Sequence, residues 1–347
     1  MKLQKYILLW SIIPLLSPSL LFSKDKTEDT NSSKRDVNII IPAPMKAINP
    51  IKIITQNQKS NIEILNRSIG FSKRYPPNYT PLKDRLVTKI VEKKSKVGEP
   101  LNGRISINLM GDLIKTKDAK AKILKAGFEI VKVYHINKRR SLVSIVFTNS
   151  ELKKLASKNG RGFTGTLRLL IDKKDKVIAI TNPVYITKAF LQDDFDQKSA
   201  DKILSSITKE FKGLKNSLDK FKFQGLPKYQ FMEGMPFYKD MVEIANGDNL
   251  LDKLKNNKRV AFILNLDKDS ILVGVKLSKR TKKFPKKIGL TNSGMLPYPV
   301  LIENGKAMIL DPKYYISVMY PNLKMEEFMT IATVPEAIVK DCSRVFR

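Results

Sequence analysis

Few residues in this chain can do acid–base, nucleophilic or metal chemistry, and their spacing narrows the choice. His135 is the only histidine and Cys342 the only cysteine. One of each is too few for a zinc-type site within one chain, so neither a metal nor a cofactor is expected. A Cys342–His135 nucleophilic pair stays open on sequence alone, although a lone Cys in a C-terminal helix reads first as a small packed apolar residue. Ser150-Glu151-Leu152-Lys153 has the Ser-x-x-Lys spacing that sets a nucleophile one helical turn before its base. Its companion Ser-Asp-Asn and Lys-Thr-Gly elements are missing, and a capping Ser with a surface Lys accounts for it better. Gly160-Arg161-Gly162 offers backbone N–H groups to an anion, but without phosphate-loop or dinucleotide spacing it reads as a helix-ending loop. Asp193-Asp194 and Glu326-Glu327 are sequence neighbours. Neighbours on a helix point apart, so neither pair is set up for shared acid–base work, and Asp193-Asp194 reads as a helix cap. No catalytic residue is assigned.

The cluster least explained by ordinary packing is Tyr229, Phe231, Met232, Met235, Phe237 and Tyr238, interrupted by Gly234 and Pro236. Aromatic and Met side chains in a loop-like stretch can line an adaptable apolar surface. Tyr298, Tyr314 and Tyr315 join them if the C-terminal part folds as follows. The candidate ligand-binding residues are therefore Tyr229, Phe231, Met235, Tyr238, Tyr298 and Tyr314. The competing reading is a buried seam between two folded units.

The elements that must position these residues are best seen in Leu296–Tyr315. Val300-Leu301-Ile302 is a short apolar strand, Asn304-Gly305 a tight turn, and Ala307–Leu310 the return strand. Asp311-Pro312 then starts a helix, Asp as N-cap and Pro at the first helical position. Leu169–Ile171, Val177–Ile180 and Asn182-Pro183 repeat this grammar upstream. Around each copy the pattern predicts β-α-β-β-α-β-β-α, which gives an α+β fold of two tandem units, each an antiparallel or mixed sheet with helices on one face. In the first copy, Ile105, Ile107 and Leu109 alternate on a strand broken by Gly111-Asp112, and a helix follows over Lys117–Ala126. In the second, helices are expected over Asp248–Asn257 and Ser278–Ile288, the latter kinked by Pro285. Met329–Thr333 reads as a strand and Pro335–Phe346 as a closing helix. Between the copies, Ala200, Ile203, Leu204, Ile207, Phe211, Leu214, Leu218 and Phe221 recur at helical spacing, with Asp193 or Asp194 as cap.

Upstream, Met1–Ser23 has the build of a signal peptide: Lys2 and Lys5, an apolar run over Tyr6–Leu16, then Ser17-Pro18-Ser19. Retention as an anchor is the alternative. Residues 24–100 read as an extended, partly disordered arm, with edge strands at Val37–Ile41 and Ile51–Ile54 and helices at Asn61–Ile69 and Leu82–Lys94. The first copy then spans 101–225 and the second 226–347. The formal charge is +31, carried mostly by Lys. Lys lacks the planar fork of base readers, and the cations look spread along the chain, so nucleic acid is not expected as a partner. Peripheral contact with anionic lipid stays open.

Leu296-Pro297-Tyr298-Pro299-Val300, followed by Gly305-Lys306 and Asp311-Pro312, resembles the domain-of-unknown-function 302 family, as does Gly127-Phe128-Glu129 in the first copy. The resemblance covers about residues 102–347. Tyr298 stands where that family has Cys, so a thiol role there is absent. The resemblance implies a compact α+β domain and transfers no activity. The expected function is that of an exported, periplasmic, non-catalytic binding module. Its ligand would be a small apolar or anionic molecule, a lipid or an envelope partner. The alternatives are a metal-independent enzyme using Tyr, Lys and carboxylates, or an envelope-associated structural protein.

Overall fold

The computed structural model describes residues 96–347 and, upstream, β1 (Ile54–Gln56) paired antiparallel with β2 (Lys59–Asn61). The chain divides into a unit Met1–Ile90, which holds this hairpin, and a unit Val91–Arg347. The expected signal peptide, the strand Val37–Ile41 and the helix Leu82–Lys94 lie outside the described residues. The strand expected over Ile51–Ile54 meets them only at Ile54, and the helix expected over Asn61–Ile69 only at Asn61, the last residue of β2.

In the unit Val91–Arg347 the expected order of elements appears. β3 (Arg104–Ser106), β4 (Asn108–Asp112), α1 (Thr116–Lys125), β5 (Glu129–His135), β6 (Leu142–Thr148) and α2 (Ser150–Ala156) come first. A 3-10 turn at Gly162–Gly165, β7 (Leu167–Asp172), β8 (Val177–Thr181) and α3 (Pro183–Leu191) complete the first half. Asn149 and Asn182 cap α2 and α3 by accepting from the N–H groups of Leu152 and Val184. The strand expected through Ile105–Leu109 divides at Ile107. The Ile107 N–H donates to the Asp219 carbonyl and its own carbonyl accepts from the Asn182 N–H, so neither group joins a ladder. Gly111-Asp112 does not break β4, which pairs with β8 through both residues.

The connecting segment differs from expectation. α4 spans only Gln197–Glu210 and is capped by Asp196, whose carboxylate accepts from the N–H groups of Lys198 and Ser199. Asp193 and Asp194 lie instead in a 3-10 turn. The chain leaves the helix at Phe211 (φ −99°, ψ 87°), and Gly213 at φ 74° turns it further, a conformation glycine adopts without a Cβ penalty. Leu214, Leu218 and Phe221 therefore leave the helical stripe, and β9 (Lys215–Asn216) and β10 (Lys220–Lys222) follow.

The second half comprises β11 (Val242–Asn246), α5 (Leu250–Leu254), β12 (Val260–Asn265), β13 (Ser270–Val275), α6 (Pro285–Ile288), β14 (Tyr298–Glu303), β15 (Lys306–Ile309) and α7 (Pro312–Met319). The slot Ser278–Ile288 holds a 3-10 turn at Thr281–Lys283 before α6, which starts at Pro285. Asp311 caps α7 through the Lys313 N–H. Met329–Thr333 is not a strand. α8 (Met325–Met329) is followed by turns, since the N–H groups of Thr330, Ile331 and Ala332 bond back to Glu327, Phe328 and Met329. α9 (Val334–Ser343) closes the chain.

The first half builds a six-stranded sheet ordered β5-β6-β7-β8-β4-β9, and the second a five-stranded sheet ordered β12-β13-β14-β15-β11. Every pairing is antiparallel. Five strands thus follow one order in both halves. The 3-10 turn Gly162–Gly165 packs on β13 and β14, while the turn Ser293–Met295 packs on β6 and β7. Close approach favours glycine here: a Cβ on Gly162 would collide with the Leu301 side chain and crowd Leu266, and one on Gly165 would collide with Leu266. One apolar core runs through both halves, from Ile105 to Phe346.

Candidate functional site

Four of the six candidate residues, Tyr229, Tyr238, Tyr298 and Tyr314, come together, but in a filled seam. α3 and α7 each place a tyrosine three residues after the Asx cap, Tyr185 and Tyr314. Tyr229 and Tyr238, from the segment between the halves, sit edge-on to Tyr314 with ring centroids 5.9 and 6.0 Å away. Tyr298 packs edge-on against Tyr315 at 5.2 Å, and Phe190 bridges Tyr315 to Tyr238. Tyr229, Tyr238, Tyr298 and Tyr314 are 4%, 2%, 0% and 1% exposed. Phe231 and Met235 are half-buried, Phe231 against Phe328 at 5.3 Å. This geometry is that of rings packed on rings between the halves.

Most of these hydroxyls serve the seam. Tyr185 Oη donates to the Val318 carbonyl at 2.7 Å, Tyr238 Oη to the Gly160 carbonyl at 2.7 Å, and Tyr298 Oη to the Leu310 carbonyl at 3.0 Å. Among the described residues the buried hydroxyls of Tyr314 and Thr164 have no hydrogen-bond partner. Burial pushes the Tyr229 phenol up to about 12 and drives those of Tyr185, Tyr298 and Tyr314 well above the usual range. All stay neutral near pH 7.

The remaining sequence candidates are occupied by structural work. Lys153 pairs with Glu129 at 3.0 Å, and Ser150 is exposed at the start of α2. The Gly160 N–H donates to Glu303 Oε2 at 2.8 Å, so the chain's own buried carboxylate fills the anion cradle. Arg161 bonds Asp194 at 2.9 Å, which together with Lys158 holds that carboxyl below its ordinary range. His135 is exposed on β5, whereas Cys342 is buried in α9 and burial pushes its thiol pKa up. Among the described residues, no cluster of three or more His, Cys, Asp or Glu could hold a metal ion. Arg168 was not singled out by sequence, yet it is buried, donates to the Pro297 carbonyl at 3.1 Å and lies over the Phe262 ring. Desolvation lowers its pKa.

Open space lies beside the seam. A cleft of about 270 Å³ is lined by Asp219, Ile288, Gly289, Thr291, Asn292, Tyr320, Asn322, Leu323 and Glu327. Asp219 is its fixed point. The Asp219 carbonyl accepts from the Ile107 N–H at 3.0 Å and from Ser217 Oγ at 3.2 Å, pinning the main chain. Its carboxylate accepts from Asn292 Nδ2 at 2.9 Å and from Asn322 Nδ2 at 3.1 Å. Asn292 is buried and is itself held by the Asn108 carboxamide, so the first half positions a residue of the second. Tyr320 closes one wall, its hydroxyl donating to the Gly289 carbonyl at 2.8 Å. Glu327 spends one oxygen on the Lys324 N–H at 2.9 Å. Among the described residues, no Lys or Arg forms an ion pair with Asp219 or Glu327. Both carboxylates face the cleft with neutral hydrogen-bond donors as their partners.

No family model, curated protein or solved structure matches this chain. Among the described residues no helix is long and apolar enough to cross a membrane.

Proposed function

We propose that the protein is a non-catalytic binding module whose ligand sits in the Asp219 cleft and carries a protonated amine or guanidinium on a small polar frame. One observation carries this reading. Asp219 is held by two carboxamides at the edge of the cleft, and no Lys or Arg among the described residues forms an ion pair with it. Neutral donors keep a carboxylate oriented while leaving its charge for a ligand, and charge-assisted hydrogen bonds are about twice as strong as neutral ones. Glu327 supplies a second anion, and Ile288 and Leu323 suit a short alkyl stem. An anionic ligand would meet two carboxylates here, and an apolar one would strand them, so the lining favours a donor-rich ligand. The aromatic residues named from sequence do not line this cleft; its one aromatic wall is Tyr320.

In this proposal the two halves descend from one duplicated unit related to the domain-of-unknown-function 302 family, for which the shared strand order is the support. The protein works outside the cytoplasm, in the periplasm, as the apolar run after Lys2 and Lys5 suggests. Thermal melting with spermidine, lysine and arginine tests the binding reading. A ligand at a hundredfold excess over its Kd stabilises by about 2.7 kcal/mol, which raises the melting temperature of the wild type. The rise disappears in Asp219→Asn. Equal shifts in both proteins, or none with any of the three, would remove the cleft from the account.

A further inference from the structure

The cations that look scattered in sequence gather on one face. Lys276–Lys287 holds Lys276, Lys279, Arg280, Lys282, Lys283, Lys286 and Lys287 and no acidic residue. Five of these, Lys279, Arg280, Lys283, Lys286 and Lys287, are exposed. The segment leaves β13 beside Arg259, whose carbonyl accepts the Lys276 N–H at 2.7 Å, with exposed Lys258 next to it. The turn between β5 and β6 adds exposed Lys138, Arg139 and Arg140, since β5 and β12 run side by side as neighbouring sheet edges. Lys138 lies close enough for its charge to act on Lys282. The acids that touch this region are engaged elsewhere. Asp341 is buried, accepts from the Ser278 N–H at 2.8 Å and pairs with Arg344. Glu327 caps α8. None of these cations forms an ion pair among the described residues.

We infer that this face docks on the anionic headgroups of a lipid bilayer. Like charges held together without counter-charges repel, and an anionic surface relieves that repulsion. The chemistry fits headgroups better than nucleic acid. Lys exceeds Arg six to one in Lys276–Lys287, and ammonium groups on flexible stems need no fixed geometry from their partner. The segment's one aromatic, Phe284, is buried and offers no face for base stacking. This inference is independent of the cleft.

Sedimentation of the full chain with vesicles tests it, using neutral phosphatidylcholine alone or with about 30 mol% phosphatidylglycerol. The face variant combines Lys279→Glu, Arg280→Glu, Lys283→Glu and Lys286→Glu. A control carries the same charge change on exposed residues elsewhere, Lys117→Glu, Lys120→Glu, Lys209→Glu and Lys212→Glu. Any binding by the N-terminal apolar run is common to all proteins, so the difference between variants is what is read. The expected result is salt-sensitive binding to anionic vesicles that weakens at least about tenfold in the face variant and little in the control. Equal losses in the two variants would reduce the effect to net charge and overturn the inference. So would binding of the wild type that does not depend on phosphatidylglycerol, or a short DNA duplex that binds the face more tightly than the vesicles do.

Discussion

At the residue scale, two tyrosines in matching positions carry different energetic roles. Tyr185 Oη bonds the Val318 carbonyl across the seam, whereas the buried Tyr314 hydroxyl has no partner among the described residues. Removing the first hydroxyl strands a buried carbonyl. Removing the second relieves a desolvated donor. Tyr185→Phe should cost about 0.5–1.5 kcal/mol in urea unfolding, and Tyr314→Phe should be neutral or stabilising. The two caps differ in a similar way. Among the described residues the Asp311 carboxylate bonds only the Lys313 N–H, so Asp311→Ala should cost about 1 kcal/mol. Asn182 caps α3 and also donates to the Gly98 and Ser106 carbonyls at 3.0 and 2.8 Å. Asn182→Ala should cost about 2–3 kcal/mol, measured the same way.

At the element scale, the interlock of the two 3-10 turns is the feature most sensitive to size. Gly162 lies against Leu301 and Leu266 of the opposite half, and Gly162→Ala should destabilise by about 1–3 kcal/mol through overpacking alone. Hydrophobic periodicity and Asx-Pro pairs made most elements legible in sequence, because those signals are local. The β7–β8 and β14–β15 hairpins and their following helices appear where Asn182-Pro183 and Asp311-Pro312 place them. The failures are equally physical. The stripe from Ala200 to Phe221 keeps helical spacing past Phe211, where the backbone leaves the helix, and Gly213 then turns the chain away. Met329–Thr333 had strand-like composition but no partner, and α8 and its turns took it up. Asp219, Asn292 and Asn322 gave no local signal. They meet across separations of 73 and 103 residues, and Asn108 reaches Asn292 across 184.

At the scale of the whole molecule, the buried tyrosines make stability depend on alkaline pH. The Tyr229 phenol moves from the ordinary 10.0 to about 12 on folding. A phenol with a raised pKa stays protonated in the folded state after the unfolded chain has lost its proton. Its contribution is complete below pH 10.0 and is lost as pH rises towards about 12. Tyr185, Tyr298 and Tyr314, raised by burial, act in the same direction. Stability from urea unfolding should be flat in this respect below pH 10 and fall by about 1.4 kcal/mol per pH unit for each such tyrosine above it. Alkaline unfolding and ultraviolet phenolate absorbance should then rise together. An earlier phenolate signal in the folded protein would mean that the seam admits water.

The cleft itself is tested most directly by nuclear magnetic resonance of the side-chain amides during titration with spermidine, lysine or arginine. Asn292 and Asn322 donate those amides to Asp219, so a cation arriving at the carboxylate must perturb them first. The account predicts saturable shifts at Asn292 and Asn322 with at least one of these ligands, abolished in Asp219→Asn. Unmoved Asn292 and Asn322 signals with all three, or saturable shifts centred on residues away from the cleft, would contradict it.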